Sequence, residues 1–313
     1  MIVRKSRKIL GIDLGTTNSS VSIYEKGSLP VIPIDGAGNL SMPSVVRFVG
    51  RKLDEVKVGS IAKRHIILKP NEVFSSTKSL MKSEDWKDDP FMRDKFNIET
   101  EQLSPVDIAA KILEELRDKA HNSSYCDGNF ERVVICVPAN SGAIYKQHVL
   151  EAAELAGFGE TNDNGDLIRT DNGRASGIYL LEEPTAAALS YGLKMGFFDP
   201  EKKKEQNILV YDFGGGTFDV TILNIVSKVG ELPDFNVLST KGIAQLGGDD
   251  LDWALAKIVA QHIEAESGIN VLTDPKTVEA KAMLKELAEE KKNRFFFRGN
   301  RNKFLYKPYA DRR

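Results

Sequence analysis

Apolar and polar positions alternate with two different periods along this chain, and the changes of period mark its elements. From residue 8 to 50, short apolar runs are divided by Gly and Pro: KILGIDLG, SSVSIYEKG, LPVIPIDGAGN and SMPSVVRFVG. Period-two runs between turn residues predict strands. Residues 51–105 are more polar, with short helical signals around Lys63 and Met81. SPVDIAAKILEELRDKAHN then predicts an amphipathic helix. Ser104 is its candidate N-cap, Pro105 suits its first turn, and Ile108, Ile112 and Leu116 share one face. RVVICVP reads as a buried strand, and AIYKQHVLEAAELAGF as a helix closed by Gly157. GIYLLEEPTAAALSYGL reads as a strand that breaks at Pro184 into an alanine-rich helix. DPEKKKEQ is a charged linker, and a second half begins at Asn207. There LGGDDLDWALAKIVAQHI predicts a glycine turn opening a helix. DPKTVEAKAMLKELAEEKK predicts another, with Pro275 in its first turn. The order is βββ then αβα, twice over, with an insertion in the first half.

One apolar run carries an unusual interruption. ILVYDFGGGTFDVTIL, residues 208–223, sets three glycines between Asp212 and Asp219. A plain hairpin turn needs one or two glycines for positive φ, and no flanking carboxylates. A phosphate-binding hairpin uses both: glycines let backbone N–H groups approach an anion, and carboxylates hold hydrated magnesium. The N-terminal stretch ILGIDLGTTNSSVSIY, residues 9–24, repeats the pattern. A shift of 199 positions superposes Asp13 on Asp212, Gly15 on Gly214, Val21 on Val220 and Ile23 on Ile222 without a gap. Two such hairpins, each opening one half of the chain, imply a duplicated α/β domain gripping one polyphosphate from both sides.

Composition narrows the class. The chain has 313 residues, 41% hydrophobic and 28% charged, as an ordinary globular protein does. It has no apolar run long enough for a transmembrane helix. The basic start lacks an apolar signal core and reads as a first strand. The two cysteines, Cys126 and Cys136, have no metal or disulfide spacing and suit a reducing cytoplasm. No dinucleotide or P-loop glycine fingerprint occurs. The net charge of −2 is uneven: the last 23 residues carry nine Lys/Arg against one Asp.

In order, GIDLGTTNS, VPA, EEPTAAALSYGL, YDFGGGTFDVTI and LGGDDLD resemble the nucleotide-binding domain of the DnaK-type, seventy-kilodalton heat-shock chaperones, within the actin and sugar-kinase superfamily. The resemblance covers about residues 8–290. It implies an actin-like ATPase fold: ribonuclease-H-like duplicated βββαβα lobes with a central cleft, the second lobe incomplete. Residues 1–206 would form the first lobe, with an inserted subdomain at about 44–124, and residues 207–292 a partial second lobe. It further implies ATP or ADP with Mg2+ as cofactors. Asp13 and Asp212 match the acidic positions that hold the ion through water. Gly15, Thr16, Thr17 and Asn18 match the first phosphate loop, and Gly214, Gly215, Gly216 and Thr217 the second. Lys78 matches the lysine that orients water and stabilises the γ-phosphate. Glu183, Asp219 and Thr217 match further catalytic positions. Gly247 and Gly248 match the turn facing ribose and phosphates, and Glu289 and Lys292 the adenine pocket. Pro138 and Lys146 match a coupling pair in which arginine is usual at the second place. Ser79 likewise stands where a basic residue is common.

The resemblance weakens after Lys292. Phe296 stands where the adenine pocket has serine, and residues 293–313 read as a basic aromatic tail, non-native or disordered. Binding of single-stranded nucleic acid is the lesser expectation for that tail. The peptide-binding domain is expected to be absent and the chain truncated. Three functions follow. The first is the ATP-binding, ATP-hydrolysing domain of a monomeric cytoplasmic chaperone. It would meet a J-domain co-chaperone and a nucleotide-exchange factor, and unfolded clients only if the missing domain is supplied. The second is a non-catalytic chaperone fragment with impaired nucleotide binding. The third is an actin-like structural protein.

Overall fold

The computed structural model describes residues 5–24, 30–34, 38–243 and 245–297. The elements run β1 (Ile9–Asp13), β2 (Asn18–Ile23), β3 (Met42–Pro43), β4 (Val45–Phe48), β5 (Val56–Val58), α1 (Ser60–Lys63), β6 (Val73–Ser75), α2 (Thr77–Leu80) and α3 (Pro90–Lys95). Next come β7 (Asn97–Ile98), β8 (Glu101–Gln102), α4 (Pro105–His121), β9 (Arg132–Val137), α5 (Ala143–Leu155), β10 (Ile178–Glu182) and α6 (Glu183–Lys194). Then follow β11 (Lys204–Phe213), β12 (Phe218–Ser227), β13 (Asp234–Ile243), α7 (Gly248–Ser267) and α8 (Val278–Phe297). The chain divides into two compact units, residues 1–248 and residues 249 onward.

In the first unit a five-stranded sheet has the order β10-β9-β1-β2-β3. β9 and β10 run parallel to β1, and β2 runs antiparallel to it. One face of this sheet is covered by α4 and α5. Ile108, Ile112 and Leu116 are buried with Val133, Ile135, Val149 and Ala153 in one apolar cluster. The start of α4 is fixed by a reciprocal capping box between Ser104 and Asp107, with Pro105 in the first turn. The insertion contributes the sheet β5-β4-β6, and its Phe48, Phe74, Trp86 and Phe96 join the same core. A second sheet, β11-β12-β13, is antiparallel throughout. It packs closely on α6: a Cβ at Gly192 would lie 3.1 Å from the Phe235 ring.

The two hairpins share a register. Asp13 pairs with Ser20 across β1 and β2, and Asp212 pairs with Asp219 across β11 and β12. Each aspartate thus faces the residue seven positions on, with the loop between.

The structure corrects four boundaries. Within LPVIPIDGAGN the described residues, 30–34 and 38–39, form no named strand: Val31 makes an isolated bridge to Ser22, and Met42–Pro43 takes the third place in the sheet. Pro30 and Pro33 lack the N–H groups a ladder needs. Lys204–Gln206 belong to β11 and not to a linker, because an antiparallel hairpin tolerates charge on its open face. The second half continues from βββ into α7 and α8 with no strand between them among the described residues, so αβα does not recur there. Helix α8 passes Lys292 and reaches Phe297. Residues 298–313, most of the expected tail, lie outside the described residues. In the second unit, Ala256 and Ala260 on α7 bury against Leu284 and Ala288 on α8.

Candidate active site

Strand ends deliver the acidic groups. Asp13 closes β1, Asp212 stands one residue before the end of β11, and Glu183 begins α6 directly after β10. Pro184 suits that first turn because its missing N–H would be unpaired there anyway. The cation comes from the insertion. Ser76, in left-handed backbone at φ 55°, turns the chain into the short helix α2 and carries Lys78 inward.

These four side chains line one cleft of about 710 Å3, a size ordinary for small-ligand sites. Gly15, Thr16, Thr17 and Asn18 border it on one side, and Gly214, Gly215 and Thr217 on the other. The hairpin tips meet there. A Cβ at Gly215 would collide with Thr17 Oγ1, and one at Gly216 would lie 3.1 Å from Thr16 Oγ1. The second hairpin is closed by Gly214 N–H donating to Thr217 O at 2.9 Å. Gly248 N–H donates to Gly214 O at 2.9 Å, and a Cβ at Gly247 would run into the Gly215 backbone. At Gly247 glycine is required by close backbone approach, and at Gly215 and Gly216 a side chain would press on Thr17 and Thr16 of the first hairpin.

At the floor, Lys78 Nζ donates to Glu183 Oε1 at 2.8 Å, both side chains nearly out of solvent. Burial opposes the Lys78 charge, but Tyr145, Glu183 and Asp13 outweigh it and raise its pKa. Burial raises the Asp13 carboxyl, against the pull of Lys78. Burial and the Glu183 charge raise Asp212. Carboxylates desolvated in this way gain from a cation placed between them. Among the described residues no group of three or more His, Cys, Asp or Glu forms a metal cage. Asp13 and Asp212 both line the cleft, a carboxylate pair that would suit a magnesium ion that keeps waters and takes phosphate oxygens.

Within the first unit, not every candidate residue lines the cleft. Asp219, on β12 of the second hairpin, is buried and accepts from Asn140 Nδ2 at 3.2 Å. Burial raises its pKa and that hydrogen bond opposes the rise. Glu289 and Lys292 lie on α8 in the second unit, where Lys292 Nζ stands 2.8 Å from the buried Asp252 carboxylate. Lys146 faces Glu182 at 3.8 Å, and Ser79 Oγ donates to Ser76 O at 2.8 Å. Three residues near the site carried no motif in the sequence. Cys136 lines the cleft from β9, with its thiol pushed up to about 12 by burial and by Asp13 and Glu183. Asn140 reaches Asp219, and Tyr145 lies next to Lys78. Only the strand phase of RVVICVP could have flagged Cys136, because buried Val133, Ile135 and Val137 turn it to the opposite face.

Comparison with known families gives a match over most of the chain. The model described as Hsp70 protein matches residues 9–298, nearly the whole chain. The match carries the actin-like ATPase fold, with which the parallel–antiparallel sheet and its twin hairpins agree.

Proposed function

The chain belongs to the Hsp70 protein family, and we propose that its cleft binds Mg-ATP and hydrolyses the terminal phosphate bond, the reading that the buried Lys78–Glu183 pair between two glycine hairpins supports best. The family has a chaperone nucleotide-binding domain that binds ATP or ADP with Mg2+, and it works with client proteins and co-chaperones. Among the described residues no helix is long and apolar enough to cross a membrane.

Backbone N–H groups of Gly15–Thr17 and Gly215–Thr217 take the phosphates from two sides. Asp13 and Asp212 hold the ion's water shell. The ion, when bound, neutralises charge on the phosphate oxygens. Lys78 is a fixed cation beside the terminal phosphate, and Glu183 holds its ammonium and accepts a hydrogen bond from the attacking water. Phosphoryl transfer is mostly positioning and charge stabilisation, so this constellation needs no nucleophilic side chain. Asp219 ties the second hairpin to the segment after β9, through Asn140. J-domain and nucleotide-exchange partners belong to the same proposal.

Calorimetric titration of Mg-ATP into the monodisperse chain is the direct test. Saturable binding that weakens without magnesium and in Asp13→Ala supports the cleft. No heat with a folded sample refutes it. Lys78→Ala should remove turnover more than binding; an equal loss of both would refute the role given to Lys78.

A further inference from the structure

Tyr145 sits in the first turn of α5 and is 1% exposed. Its hydroxyl makes no well-formed hydrogen bond among the described residues. A buried hydroxyl without a partner costs stability, so natural proteins seldom keep one without use. The surroundings supply a partner. Three residues further along α5, the His148 ring meets the Met81 carbonyl through Nδ1 at 2.7 Å. Residues three apart share a helix face, and Lys78 stands three before Met81, so Tyr145 and Lys78 are brought together by the same contact. Among nearby charges, Lys78 acts most strongly on Tyr145. Burial also pushes the phenol up to about 12, so it stays neutral and offers only an oxygen and a proton.

We propose that Tyr145 is a positioning residue for Lys78: its buried hydroxyl oxygen accepts a hydrogen bond from the Lys78 ammonium and, with Glu183, fixes where that charge points. An ammonium has three donors. Glu183 Oε1 takes one at 2.8 Å, Tyr145 takes the second, and the third is left facing the cleft. A lysine held by one partner swings on a flexible stem; one held by two presents its charge in a single direction. The inference rests on the reading of Lys78 as the cation beside the terminal phosphate.

The test uses Tyr145→Phe, which removes one oxygen and keeps the ring. The ligand-free protein is treated with acetic anhydride, and acetylation of Lys78 is followed by mass spectrometry against exposed lysines as internal standards. Loss of the hydrogen bond should speed Lys78 labelling about tenfold. The melting temperature should fall; a hydroxyl that truly lacks a partner would instead raise it when removed. Unchanged labelling overturns the proposal whichever way the melting temperature moves. In turnover, kcat should fall by about tenfold or more at constant KM, as misplacement of one group does. A wild-type chain without turnover would sink the ATPase reading, while the labelling experiment would still decide the place of Tyr145.

Discussion

Replacing Lys78 by alanine tests how the cleft floor stores its charge. Lys78 and Glu183 stand 2.8 Å apart with side-chain exposures of 8% and 14%. At that distance, and at an effective dielectric of about 20, their attraction is about 6 kcal/mol. Desolvation of two ions offsets most of it, so the pair adds little net stability. Breaking it is different. Glu183 would be left buried beside Asp13 and Asp212 with no cation, and removal of one partner from a buried pair costs about 3–5 kcal/mol. The raised Lys78 pKa fixes the pH range. A lysine whose folded pKa exceeds its unfolded value of 10.5 contributes fully below that value and loses its contribution as pH rises through the folded one. The deficit of Lys78→Ala should therefore be constant from about pH 7 to pH 9. Urea unfolding measures it in a Trp253→Phe background, where Trp86, buried in the first unit, is the remaining tryptophan. The double variant Lys78→Met/Glu183→Leu should recover most of the loss. A midpoint unchanged by Lys78→Ala, or a double variant as unstable as the single one, would refute a buried, mutually dependent pair.

Gly215→Ala should weaken Mg-ATP binding about tenfold or more, because the new Cβ collides with Thr17 Oγ1 and parts the hairpin tips; calorimetry reads the change, and unaltered affinity would mean the tips do not meet. Burial raises the Asp13 pKa above 3.8, so its ionised form is a burden on the ligand-free fold, absent below the unfolded pKa and growing as pH rises through the folded one. Asp13→Asn should thus stabilise the ligand-free protein to urea at pH 7 and change nothing near pH 3, and a loss of stability at pH 7 would contradict this sign. The same raised pKa means that Mg-ATP affinity should fall on acidification, with protons released on binding. In the second unit, Lys292→Ala leaves the buried Asp252 carboxylate without its cation and should cost about 3 kcal/mol, read from Trp253 fluorescence during unfolding.

The two hairpins that line the cleft were largely legible from local order. The aspartate–glycine hairpins show themselves because a strand that stops for glycine and resumes has few other uses, and because the pattern occurs twice in register. The Ser104 cap and the Ile108, Ile112 and Leu116 face follow from helical spacing alone. The misplaced boundaries have local causes as well. Pro33 follows an apolar run that makes only an isolated bridge to β2 and ends its pairing there, and Lys204–Gln206 sit on the strand of an open sheet, where charge is no obstacle.

The sequence by itself determined which residues could bind phosphate and a cation, since that depends on side-chain type and on short spacings within one turn or strand. Only the tertiary structure decided which of them meet. Lys78 and Glu183 are 105 positions apart and join at 2.8 Å; Asn140 reaches Asp219 across 79 positions. Tyr145 has no motif, and its relation to Lys78 arises from two helices bridged by His148 and Met81. Such encounters depend on how sheets and helices pack over one core, a collective balance of burial and loop closure that local spacing does not encode.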